Sequence, residues 1–154
     1  MTLLDPSALV AALSRGHRLL GIDPGRKRIG LALSDAGLRL AGPYATLARG
    51  KLRTNAAEIA AIARKEEAGG LIVGLPLEMD GNFGPAAQAA RDWALALSEA
   101  TGLPTAMWDE RMTTAQSEEA MLAADVSRAR RAEMRDRLAA ARILQAALDA
   151  LARP

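Results

Sequence analysis

At three places in this sequence carboxylates stand where a buried or packed setting demands a partner for them. Asp23 closes the apolar run "HRLLGID". A pair of adjacent acids, Asp109 and Glu110, ends "PTAMWDE". Asp136 lies on a helical stripe with Ala140, Ile143 and Ala147, at offsets of four, seven and eleven residues, so it falls on a face that must pack. Burying even a neutral polar group without a partner costs on the order of 2 to 7 kcal/mol, and each acid therefore needs one. A divalent cation answers all three needs at once, because clustered carboxylates are the hard oxygen ligands that magnesium or manganese prefers. In phosphodiester hydrolysis two such ions, roughly 4 Å apart, activate water and stabilise the leaving oxygen.

Each acid also has a purely structural explanation. Asp23 precedes Pro-Gly and would suit a turn. Asp109 or Glu110 could pair with Arg111. Asp136 near a helix start would gain roughly 0.3 to 1 kcal/mol from the helix dipole. The two acids of "WDER" point to opposite faces of their strand, and alternation alone leaves open which one meets Asp23. In the first strand Leu19, Gly21 and Asp23 share one face, while Leu20 and Ile22 share the other.

The elements that must position these acids follow from the pattern. Asp5 and Pro6 start a short helix, "PSALVAALSR". "HRLLGID", "RIGLALSD" and residues 38–47 read as three strands of a meander. "NAAEIAAIARKEEA" is a helix ending at Gly69 and Gly70, where a left-handed cap is sterically easy. "GLIVGLP" is a buried strand, "PAAQAARDWALALSEA" a helix stopped by Gly102, and "PTAMWDE" a final strand. Two helices close the chain, "TTAQSEEAMLAA" and "AEMRDRLAAARILQAALDAL", joined by the arginine-rich "DVSRARR". This order predicts an α/β fold: a mixed five-stranded sheet, a three-strand meander followed by two parallel strands, flanked by helices. Residues 1–16 form a helical extension and 17–154 a single domain.

Composition narrows the function. The chain has 154 residues and no cysteine, and its one histidine is His17, so neither a thiolate nor a histidine metal cage is available. His17 reads as structural, and Trp93 and Trp108 as core. The formal net charge is only +2, so the placement of arginines matters more than their sum. Lys27 and Arg28 follow Asp23, Arg111 follows Glu110, and Arg128, Arg130, Arg131, Arg135 and Arg137 flank Asp136. Cations beside every candidate ligand suit phosphate contacts, to which Thr113 and Thr114 could add hydroxyls. With four aromatic residues in all, a base-stacking platform is poorly supported. No signal peptide or membrane span is expected, which points to a cytoplasmic protein.

Taken together, "GIDPGRKRIGLALSD", "LIVGLPLEMDG", "WDERMTT" and "RDRLAAARILQAALD" resemble the YqgF/RuvX family of Holliday junction resolvase-like proteins and candidate pre-16S ribosomal RNA nucleases. The likeness runs from about Leu19 to Asp149. It implies an RNase H-like fold and divalent-metal phosphodiester cleavage, by two ions of magnesium or manganese. Asp23, Glu110 and Asp136 match the family's catalytic and metal-binding acids, which favours Glu110 over Asp109. The helical extension and Glu78, where asparagine is frequent, depart from the pattern. The resemblance implies pre-rRNA or branched DNA as partner, the precursor of the small ribosomal subunit as its setting, and a monomer or weak homodimer. Two other classes compete. A non-cutting RNA-binding assembly factor would use the same surface, whereas an actin-like ATPase or sugar kinase would need a second domain.

Overall fold

The computed structural model describes residues 3–75, 84–109 and 128–152. Among them the chain forms α1 (Pro6–Ala12), β1 (Arg18–Pro24), β2 (Arg28–Ser34), β3 (Ala41–Ala48), α2 (Leu52–Glu66), β4 (Ala68–Leu75), α3 (Pro85–Thr101), β5 (Thr105–Asp109) and α4 (Arg128–Ala152). The five strands lie in the order β3-β2-β1-β4-β5. β1, β2 and β3 pair antiparallel, while β4 joins β1 and β5 joins β4 in parallel, as a meander followed by helix crossovers requires. The helix expected over 113–124 and the loop beside Glu78 lie outside the described residues.

Two cores sandwich the sheet. Leu20, Ile22, Ile29 and Leu31 pack with Ile59 of α2 and with Ala94 and Leu97 of α3. On the other face Leu19, Ala32 and Ile72 pack with Ala140, Ile143, Leu144 and Ala147 of α4. The alternation expected in β1 is therefore observed, with Leu19 and Gly21 toward α4. Asp5 caps α1, accepting from the Ala8 amide at 2.9 Å. Leu9 of that helix is fully buried, and Leu4 forms a parallel bridge with Ala106 at the β5 edge.

Several boundaries differ from expectation for identifiable reasons. β3 starts at Ala41 rather than near residue 38, because Leu38 takes a left-handed conformation (φ 56°). The Asp35 carboxylate holds that turn by accepting from the amides of Arg39 at 2.8 Å and Leu40 at 3.1 Å. α2 begins at Leu52, with Asn55 inside it rather than at its start. Asn55 is buried and bonded to the Gly50 amide and the Ala48 carbonyl, so it ties the first turn of α2 to the end of β3.

The left-handed cap of α2 is Glu67 (φ 58°), not Gly69 or Gly70. Those glycines lie inside β4. A Cβ on Gly70 would stand 2.8 Å from Leu9 Cδ1, so the missing side chain is what admits α1. Finally, α4 starts at Arg128, so Arg128, Arg130 and Arg131 belong to its first turn rather than to a linker. Asp136 then lies two turns in, beyond the reach of the helix-dipole effect.

Candidate nuclease centre

α4 lies directly on the sheet because two strand positions lack side chains. A Cβ on Gly21 would come within 2.7 Å of Leu144 Cβ. A Cβ on Gly30 would fall 1.9 Å from the carbonyl oxygen of Asp136, which is impossible without moving the helix. Glycine inside a strand is the usual mark of such a backbone approach.

That contact places the Asp136 segment of α4 over the β1–β2 pair. In the register of β1 and β2, Asp23 is directly opposite Gly30, and residues so paired project to the same face with Cα atoms about 5 Å apart. Since Gly30 faces Asp136, Asp23 projects beneath the same part of α4. Gly30 is in turn paired with Thr46 of β3. The Thr46 hydroxyl donates to the Glu133 carbonyl at 2.7 Å and accepts from Arg137 Nε at 3.3 Å. Gly30 and Thr46, members of the rung that begins at Asp23, thus seat residues 133–137 of the helix.

Asp136 is about one-quarter exposed, and its Oδ2 accepts from Arg28 Nε at 2.5 Å. Arg28 is two residues before Gly30 and so shares its face of β2. A residue expected to contact phosphate therefore has its guanidinium committed to a candidate metal ligand. At β5, Ala106 and Trp108 pack on the α4 side, whereas Met107 packs on the opposite side. Asp109 ends β5, and alternation turns it to the face opposite α4.

Lys27 lies exposed in the turn between β1 and β2, and Arg128 and Arg130 are exposed on the first turn of α4, with Arg131 half-buried. A groove of about 400 Å³ runs past Arg130, Glu133, Met134 and Arg137. Glu110, Arg111, Thr113 and Thr114 lie outside the described residues. Among the described residues no group of three acidic, histidine or cysteine side chains is placed to hold a metal ion. Asp23 and Asp136 nonetheless offer the hard carboxylate oxygens that a divalent ion takes, so the donor chemistry fits.

The sequence reading missed Thr46 and the seating role of Gly30. A strand-interior glycine facing a proposed carboxylate helix was a usable signal for the second. Thr46 carried no local signal, since its role depends on a helix 87 residues further along the chain. Trp93 and Trp108 are both part-buried against the cores, as expected.

An antiparallel meander continued by parallel strands, with a C-terminal helix carrying an acid over the first strand, defines an RNase H-like nuclease fold. The fold is shared with Thermus thermophilus RuvC. The RuvC solved with a Holliday junction substrate superposes with a TM-score of 0.52 at 19% identity, covering 87% of this chain and 94% of that one. A second Thermus thermophilus RuvC structure gives a TM-score of 0.50 at 16% identity, over 86% and 95%.

The family model RuvX, Holliday junction resolvase, matches residues 17–150. A protein of Gluconacetobacter diazotrophicus is 57% identical over 99% of both chains. One of Acidiphilium cryptum is 56% identical over 100% of this chain and 98% of its own. Both are named "Putative pre-16S rRNA nuclease". The chain belongs to the RuvX family, and by class it is a nuclease, a hydrolase of phosphodiester bonds that acts on nucleic acid. The family implies divalent-metal use. No helix among the described residues is long and apolar enough to cross a membrane.

Proposed function

We propose that this protein cleaves structured RNA in the maturation of the 16S ribosomal RNA 5′ end, with Asp23, Glu110 and Asp136 as the ligands of magnesium or manganese, two ions in all. The observation that carries the reading is the seating of α4 on Gly30, which sets Asp136 beside the strand position opposite Asp23. Ala106 and Trp108 face α4 and Asp109 alternates to the opposite face, which argues against Asp109 as the third ligand, and the family pattern supports Glu110. The names of the relatives support the RNA substrate.

Divalent ions at such a site supply Lewis acidity and lower the pKa of water. The chain's own residues do the rest. Arg28 holds the Asp136 carboxylate in one orientation. Lys27, Arg128, Arg130 and Arg131, with Arg111, Thr113 and Thr114, hold backbone phosphates, and such contacts position a strand without reading its sequence. Residues 17–154 form the catalytic unit and residues 1–16 brace it, with Leu9 in the core and Leu4 on the β5 edge. The reading places the protein in the cytoplasm, acting on the small-subunit precursor as a monomer or weak homodimer.

The family's description as Holliday junction resolvase favours a second reading, cleavage of branched DNA by the same residues. One assay separates the two: purified protein with a precursor RNA or a four-way DNA junction, in magnesium with and without EDTA. Magnesium-dependent cleavage of the RNA alone is expected. Cleavage of the junction alone would establish the second reading, and binding of RNA without cleavage would establish a non-catalytic assembly factor.

A further inference from the structure

The same β1–β2 turn that carries Asp23 on one side borders a second cavity. It has a volume of about 290 Å³ and lies between the turn and the opening of α3. Ala86, Ala89, Ala90 and Trp93 line it from α3, at offsets of three, four and seven that put them on one helical face. The alanines are small, and Trp93 is the large side chain that α3 contributes to the lining. Opposite stand Pro24, the residue after Asp23, and two arginines, Arg26 and Arg49.

Arg49 is fixed in place. Its backbone amide donates to the Lys27 carbonyl at 2.9 Å, its Nη1 donates to the Gly25 carbonyl at 2.8 Å, and its guanidinium carbon lies 5.2 Å from the centre of the Trp93 ring. A guanidinium anchored through one nitrogen and stacked on an indole keeps other donors available for a ligand. These contacts favour one orientation of the guanidinium, which lowers the side-chain entropy lost when one binds. The two cations among its lining residues favour an anion.

We propose that this cavity is a phosphate-binding subsite, formed by Arg26 and Arg49 over Trp93, that takes a backbone phosphate of the substrate strand after it has passed over the β1–β2 turn. The inference rests on the nucleic-acid reading above for its natural ligand, but the subsite itself is defined by phosphate chemistry alone. It lies across the turn from the arginines of α4. A strand held at both places would be drawn over Asp23.

The test uses the full chain and two probes. In the first, inorganic phosphate is titrated while the Trp93 indole and Arg49 Nε–H signals are followed by ¹H–¹⁵N NMR. Both signals should shift saturably in the parent, and Arg26→Ala, on an exposed turn, should weaken binding about tenfold, as expected for loss of a charge-assisted hydrogen bond. Arg49→Lys keeps the charge but loses the fork, and should also bind more weakly. Absence of any shift, or shifts unchanged in both variants, would overturn the subsite.

In the second, binding of a precursor RNA is measured against salt without divalent metal. Arg26→Ala should reduce the slope of log K on log salt by about 0.7 to 0.9, and should raise KM for cleavage while sparing kcat. An unchanged slope would also count against the subsite. Phosphate shifts at Trp93 in a protein that neither binds nor cuts RNA would refute the functional reading and leave the subsite standing.

Discussion

The two faces of the sheet are packed by different rules. Toward α2 and α3 the strands present large aliphatic side chains, Leu20, Ile22, Ile29 and Leu31, which interlock with Ile59 and Leu97 in an ordinary core. Toward α4 the same strands present Gly21 and Gly30, and the helix backbone lies almost on the strand backbone. The first arrangement maximises buried apolar area and tolerates small displacements of a helix. The second leaves no room for a side chain between strand and helix, and the helix residue seated there is Asp136, through its backbone carbonyl. Both faces bury an apolar core, but among the described residues only the α4 face adds a close approach of helix to strand backbone, at Gly21 and Gly30.

Substitutions can break that division. The largest effect is expected at Asp23. Asp23→Asn keeps shape and should lower cleavage by more than about 100-fold, beyond the 10- to 100-fold typical of a metal ligand's outer partners, with an unchanged melting temperature. Single-turnover kinetics and a thermal melt check both halves.

Ile59→Ala and Gly30→Ala form a contrasting pair. Ile59→Ala opens a cavity in the α2/α3 core and should cost about 2 to 5 kcal/mol in denaturant unfolding, while the folded fraction cleaves normally. Gly30→Ala forces a methyl against the Asp136 carbonyl. It should cost about 1 to 3 kcal/mol and also lower activity per folded molecule. Equal specific activities in the two variants would erase the distinction between the faces.

Arg28→Gln sharpens the comparison within the α4 face. It removes the ion pair to Asp136 without altering the backbone contact. The metal concentration for half-maximal activity should rise about tenfold, the lower end for loss of an orienting partner, with stability little changed because both groups are partly exposed.

The smallest effect concerns Asp35. Backbone amides of Leu40 and then Arg39 hold its carboxyl below the ordinary value of 3.8. A depressed folded pKa stabilises the turn above the unfolded value, and that contribution fades as pH falls through the lower, folded one. An NMR titration should show Asp35 protonating below pH 3.8, with faster amide exchange at Leu40 accompanying it.

Much of this was legible in the chain itself. Strand alternation put Gly21 and Asp23 on one side, and the stripe of Ala140, Ile143 and Ala147 put α4 on the sheet. Both readings depend on periods of two and 3.6 residues that tertiary context rarely overrides. Boundaries were less legible, because they depend on long-range partners. Gly69 and Gly70 look like a helix cap until His17 and Leu13 are placed against the first and Leu9 against the second. The arginines at 128–131 look like a linker because nothing local marks a helix start there. The pairing of Arg28 with Asp136 joins residues 108 positions apart, and no local pattern encodes it. The third acid was assigned by resemblance, since alternation alone left Asp109 and Glu110 equivalent.

The most direct test of the account is manganese binding by calorimetry to the parent, Asp23→Asn and Asp136→Asn. If the strand acid and the helix acid hold a common ion, each substitution alone should remove or strongly weaken the same binding event, and the double variant should add little further loss. Parent-like manganese affinity in either single variant would contradict it.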